Sequence, residues 1–174
     1  QGARIGTTAA DWDTIAKEGP SALFGEIPKP EMDLVIHEGE PLVVGDTTIT
    51  PVEIPGHTPG ALAFIFPVHD GAAVHVAGLF GGTILAPGFV PLAGLRQYIV
   101  SIEHYLGIVA QLQVDVEVQN HPIFDDTPAR LAALAARSPG SAHPFFMGTQ
   151  RYARFWNVIT ECMQAALIQR EAAQ

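Results

Sequence analysis

A chain of 174 residues and 18.5 kDa, 48% hydrophobic and only 16% charged, has the material for one domain with a sizeable core. Its net charge of −9, with nine basic residues scattered along the chain, argues against nucleic acid as a partner, because phosphate binding needs clustered Lys and Arg. Proline and glycine interrupt every apolar run before it reaches membrane-spanning length, so no membrane partner is expected either.

Ala3–Thr8 reads as a short strand, and Thr8 or the alanines after it lead into a helix over Ala10–Lys17. Acidic residues in the first turn and a lysine near the end suit the helix dipole, and Gly19-Pro20 stops it. Ser21–Pro30 reads as an irregular loop. Next come β segments at Asp33–His37, Pro41–Val44, Thr47–Ile54, Ala61–Phe66 and Ala73–Phe80, with hairpin signals at Gly45-Asp46 and His69-Asp70-Gly71. His37, His69 and His75 lie in or beside these strands and read as structural or solvent-facing.

The turn between the third and fourth of these segments is Pro55-Gly56-His57-Thr58-Pro59-Gly60. Proline and glycine on both sides fix the backbone, so the His57 imidazole is held on a stiff corner at a strand end. Such a corner presents a metal ligand with little rotamer freedom left to lose. Further on, Leu92–Leu112 is a helix with Leu95, Ile99, Ile102, Leu106 and Val109 on its apolar face. Val114–Val118 alternates apolar and acidic residues, as a half-buried strand does, and runs into Gln119-Asn120-His121-Pro122. His121, at a strand end and locked by proline, repeats the arrangement at His57. A helix opens at Asp125-Asp126-Thr127-Pro128, with Thr127 suited to cap it, and runs to Arg137. His143-Pro144-Phe145-Phe146 precedes a closing helix over Thr149–Ala172, whose apolar stripe takes in Tyr152, Phe155, Ile159, Cys162, Met163 and Ala166.

The string P-G-H-T-P-G after an apolar strand, followed by two more strands and a later H-P, resembles the metallo-β-lactamase-fold hydrolases. The resemblance extends along nearly the whole chain. It implies an α/β (α+β) fold: the C-terminal half of an αββα sandwich, with a mixed, mostly antiparallel sheet flanked by helices. It implies that residues 1–174 are one lactamase-like domain portion, without the H-x-H-x-D-H cluster that in the family lies upstream of this motif. His57 then corresponds to the last protein ligand of a first zinc ion, and His121 to a ligand of a second. Many relatives carry a bridging aspartate where Gly82 stands; with Ala86-Pro87-Gly88-Phe89 following, the pattern is closest to the zinc β-lactamase subclass that lacks a bridging Asp or Cys. By the same resemblance His143, Phe145, Phe146 and Gly82, with the Ile84–Phe89 loop, line a substrate pocket above the metals. His143 also admits a purely structural reading.

The function so implied is zinc-dependent hydrolysis, a metal-bound hydroxide attacking the carbonyl of a β-lactam, lactone or thioester. With only His57 and His121 in place, the chain alone is expected to bind zinc weakly or not at all and to be inactive, since zinc catalysis needs about three protein ligands. The alternative is a non-catalytic binding or assembly module with the metal site abandoned. The chain opens at Gln1 without methionine and reads as a fragment or processed product; its mean hydropathy of +0.22 suggests an apolar face covered by a missing N-terminal half or by self-association. Cys162, the single cysteine, excludes an internal disulfide and leaves the compartment open. The resembled β-lactamases point to a periplasmic or secreted protein.

Overall fold

The computed structural model describes residues 2–19, 25–82 and 90–173. Its elements run β1 (Gly6–Thr7), α1 (Ala9–Lys17), β2 (Leu34–Val35), β3 (Leu42–Val44), β4 (Thr47–Glu53), β5 (Leu62–Asp70), β6 (Ala73–Phe80), α2 (Leu92–Leu112), β7 (Val116–Val118), α3 (Thr127–Ala135) and α4 (Thr149–Ala172). The five strands β3-β4-β5-β6-β7 form one sheet in that order; the first four make an antiparallel meander and β7 joins β6 in parallel. A parallel neighbour needs a long crossover, and α2 supplies it. The sheet is thus mixed and mostly antiparallel, with helices against it, as the sequence implies. β1 and β2 pair separately in a short parallel ribbon.

The core lies between the sheet and α2 and α4. Side chains of alternate residues share a sheet face, and on the helix side stand Val52, Ala63, Ile65, Gly78, Phe80 and Glu117. Phe80 sits at the centre, its ring 4.4 Å from Trp156 of α4 and 5.1 Å from Tyr105 of α2. Gly78 is small for a reason: a Cβ there would come 2.2 Å from the Tyr152 hydroxyl and 2.4 Å from that of Tyr105. These two hydroxyls bond each other at 2.6 Å directly over the sheet.

Four expectations need correction. The segment begun at Ala61 does not stop at Phe66 but runs to Asp70, because β6 pairs with it all the way to the Gly71-Ala72 turn. Val114–Val118 is not half-solvated: Glu117 is only 1% exposed, since its face of β7 lies under α2 and α4. The α3 N-terminus is held by Asp125 rather than Thr127; the Asp125 carboxylate accepts the Thr127 amide at 3.0 Å, with Asp126 in a left-handed turn at φ 53°. Cys162 is exposed; the buried stripe of α4 is Tyr152, Trp156, Ile159 and Met163, and a residue one step from Met163 is rotated off it.

The opposite sheet face carries Phe64, Phe66, Val68, Leu79 and Val118, all half-buried and away from α2 and α4. The chain exposes 10548 Å² in all. A compact domain of this mass exposes roughly 8,200 Å².

Candidate functional site

Three chain segments leave the sheet at one end. Glu53 pairs with Leu62, so the Pro55–Gly60 turn joins β4 to β5 there. Gly81 donates to the Leu62 carbonyl at 3.1 Å, bringing the end of β6 to the same place. Because Leu79 pairs with Val118 in parallel, β7 also points that way, and Gln119-Asn120-His121 emerge beside Gly81-Gly82. His57, Gly82 and His121 therefore stand on the exits of neighbouring strands.

The His57 turn is braced from three sides. Gly56 packs so tightly on α2 that a Cβ would lie 2.7 Å from the Tyr98 backbone, and Ser101 of α2 donates to the Pro55 carbonyl at 2.7 Å. From α1, Asp11 accepts the Gly60 amide at 2.7 Å and the Thr58 hydroxyl at 2.8 Å, while the Thr8 hydroxyl donates to the Gly60 carbonyl at 3.0 Å. On the third side Gly82, at φ 74°, lies flat against the imidazole: a Cβ would meet His57 Cβ at 2.6 Å. The Tyr98 hydroxyl fixes the Gly82 carbonyl at 3.3 Å, and burial holds that hydroxyl's pKa above its usual value. A side chain could not occupy position 82 without displacing His57.

His57 Nδ1 is buried without a hydrogen-bond partner among the described residues. Leaving such a nitrogen orphaned costs about 1–3 kcal/mol. A shallow cavity of about 220 Å³ opens beside it between Pro55, Thr58, Pro91 and Gln97. His121 is half-buried, its ring 6.4 Å from that of Phe124. Among the described residues no group of three or more His, Cys, Asp or Glu is placed to hold a metal ion. As donors His57 and His121 suit zinc, but they do not complete a site. The Ile84–Phe89 loop lies outside the described residues.

His143, Phe145 and Phe146 do come together, but elsewhere. They line a cavity of about 170 Å³ with Val68, Asp70, His75 and Val116, at the hairpin end of β5 and β6. Val68 lies six residue steps along β5 from Leu62, roughly 20 Å of strand, so these three do not share an opening with Gly82 and His57. The reason is a bridge between Phe146 and Val116, reinforced by Met147 and Gly148 donating to the Asp115 carbonyl at 3.0 Å, which anchors the segment at the start of β7 rather than its end. Around this cavity His75 bonds Asp115 at 2.8 Å and packs its ring at a tilt against Phe146, with centroids 4.7 Å apart. Arg137 grips Asp70 with two bonds of 2.7 Å, and this holds the Asp70 carboxyl below its usual pKa.

Three contributors escaped the sequence reading. Asp11 and Thr8 looked like ordinary helix-start residues, and only the fold brings them to the turn some fifty positions on. Glu117 looked like the polar half of an alternation.

No sequence-family model matches the chain. Among solved structures it superposes on BJP-1, a subclass B3 metallo-β-lactamase of Bradyrhizobium japonicum, with a TM-score of 0.79 and 21% identity over 99% of this chain and 66% of that one. A motif mutant of the metallo-β-lactamase from Cronobacter sakazakii gives 0.73 at 22% identity, over 100% and 68%. The metallo-β-lactamase MIM-1 from Novosphingobium pentaromativorans gives 0.70 at 20%, over 99% and 63%. The chain has the metallo-β-lactamase fold, and it spans about two thirds of the length of these structures.

Proposed function

We propose that this chain is part of a zinc-dependent hydrolase acting on a carbonyl substrate (a β-lactam, a lactone or a thioester), with His57 and His121 as two of its metal donors. The observation that carries this reading is the buried Nδ1 of His57, without a hydrogen-bond partner among the described residues, on a turn braced from three sides at the sheet end where His121 also emerges. Zinc, when bound, supplies Lewis acidity toward a carbonyl oxygen and makes water a better nucleophile. The residues here do the preparatory work. Gly56, Gly60 and their partners hold the imidazole in one place before any ligand arrives, and Gly82 presents a flat backbone beside it. Tyr98, kept protonated, secures that backbone through its hydroxyl.

Two imidazoles do not make a catalytic site, so the chain by itself is proposed to be inactive. The remaining donors would come from a part of the protein beyond these residues, which would also cover the Phe64–Leu79 sheet face; self-association through that face is the other way to cover it. A second reading, a binding or assembly module without metal, draws on the absence of a three-donor cluster among the described residues and on the steric exclusion of a carboxylate at Gly82.

The test is on the protein encoded by the whole gene. It should contain zinc by elemental analysis and hydrolyse at least one of a chromogenic β-lactam, a lactone or a thioester, and His57→Ala should lower zinc content and rate together. A zinc-free, inactive protein whose His57→Ala variant behaves like the parent would favour the module.

A further inference from the structure

We propose that Thr8 and Asp11, at the start of α1, are positioning residues for His57; this rests on the reading of His57 as a metal donor. α1 is nine residues long and begins at an N-cap, Thr8, whose hydroxyl accepts the Asp11 amide at 3.4 Å. Its end is tied down independently, since Trp12 Nε1 donates to the Leu34 carbonyl at 2.8 Å and the Ile36 amide donates to the Thr7 carbonyl at 2.9 Å. The helix start is therefore a fixed point and not a passenger of the loop.

From this point three bonds reach across to the turn. The two oxygens of Asp11 divide the work: one takes the Gly60 amide and the other the Thr58 hydroxyl. Thr8 both caps its own helix and donates to the Gly60 carbonyl. Gly60 thus has both its backbone groups bound by α1, and its close fit shows how short the approach is. A Cβ at Gly60 would lie 1.8 Å from Thr8 Oγ1 and 2.8 Å from the Asp11 amide nitrogen. His57 itself receives no side-chain bond within the described residues that would fix its Nδ1. Its direction is set by the backbone on either side: Gly56 against α2, and Thr58 and Gly60 against α1. Loss of the α1 clamp frees one of these two sides. A carboxylate is suited to the task because it accepts twice without offering a competing donor.

The clamp also explains an otherwise odd economy in the sequence. Thr8, Asp11, Thr58 and Gly60 form one hydrogen-bonded unit although some fifty residues separate its halves. Residues that orient a metal donor typically change metal affinity 10–100-fold when removed.

The experiment uses the 174-residue chain, isotopically labelled, as wild type, Asp11→Asn, Asp11→Ala and Thr8→Ala. Amide hydrogen exchange at Gly60 is compared with that of β5, and three-bond couplings report the His57 χ1 distribution. In Asp11→Ala the Gly60 amide should exchange at least about tenfold faster relative to β5, and His57 should average over rotamers. Asp11→Asn keeps a carbonyl oxygen for Gly60 and should recover most of the protection. General loss of stability would instead speed Gly60 and β5 together. If Gly60 exchange follows β5 in every variant, or His57 keeps one rotamer in Asp11→Ala, the positioning role is wrong. Zinc chloride added alone to the protein encoded by the whole gene gives a separate arm. A silent His57 resonance there, with the exchange result intact, removes the metal reading and leaves the clamp standing.

Discussion

Replacing Glu117 by glutamine should change the pH dependence of stability more than any other single substitution in this chain. Glu117 lies on the helix-facing side of β7, beneath Tyr105 of α2 and Tyr152 and Trp156 of α4. Burial pushes its carboxyl from 4.5 up to about 8; the Gln119 amide, which donates to it, and the nearby Tyr152 and Trp156 hold it lower than burial alone would, and Asp125 adds repulsion. One of its oxygens and the Trp156 indole nitrogen have no well-aligned partner among the described residues. The folded state therefore keeps a proton between pH 4.5 and 8 that the unfolded state has lost. Stability from this group is complete below about 4.5, falls as pH rises through that window and levels off above 8. At 1.36 kcal/mol per pH unit the whole change is roughly 5 kcal/mol, comparable with the net stability of an ordinary domain. Tyr105 and Tyr152, both pushed up by burial, do not titrate in this range. Glutamine keeps the shape and the neutral hydrogen bonding but has no proton to lose. Urea unfolding followed by circular dichroism from pH 5 to 9 should show the two proteins close at pH 5 and the variant more stable by a few kcal/mol at pH 9. Parallel curves, or a variant weaker at pH 9, would refute the assignment of a buried neutral Glu117.

The glycines of the core and site make sharper steric predictions. Gly78→Ala, which drives a methyl toward the Tyr105–Tyr152 hydroxyl pair, should cost about 1–3 kcal/mol in the same urea assay. Gly82→Ala, at φ 74° and against His57, should cost about 1–3 kcal/mol and shift the His57 imidazole resonances, whereas Gly71→Ala has open space and should leave them unmoved. Sedimentation of the purified chain should reveal association or a bound partner, because covering about 1,000 Å² of apolar area is worth up to roughly 25 kcal/mol; a monodisperse monomer with a cooperative melt would contradict an uncovered sheet face.

Periodic and punctuated features were legible before the fold was seen. β6, α2 and α4 have the limits that spacing and the flanking Gly and Pro residues announce. The stiff turn at His57 was equally plain, because Pro55, Gly56, Pro59 and Gly60 determine its backbone locally. What could not be read depends on pairs distant in sequence. Whether Glu117 is solvated depends on Tyr105 and Tyr152 meeting above it, and no period in β7 records that. The position of His143 depends on the Phe146–Val116 bridge, which a shared His-Pro string with His121 gives no means to anticipate. Likewise Asp11 scores as a first-turn acid until α1 is laid against Gly60.

Two features of this chain lie on the same strands. On one face of the sheet Val52, Ala63, Ile65, Gly78, Phe80 and Glu117 are closed in by α2 and α4; on the other, Phe64, Phe66 and Leu79 stay half-buried, and the total surface exceeds that of a compact domain of this mass by about 2,300 Å². At the end of the same sheet His57 presents a buried nitrogen with no hydrogen-bond partner among the described residues. A single added layer against the open face could reach both, since the strands that bear Phe64 and Leu79 are the ones whose ends hold His57 and Gly82. The bracing of His57 from α1, α2 and Gly82 is complete without that layer, so the imidazole is held in place by these residues alone. The rigid imidazole and the open sheet face thus belong to one end and one side of the same two strands, β5 and β6.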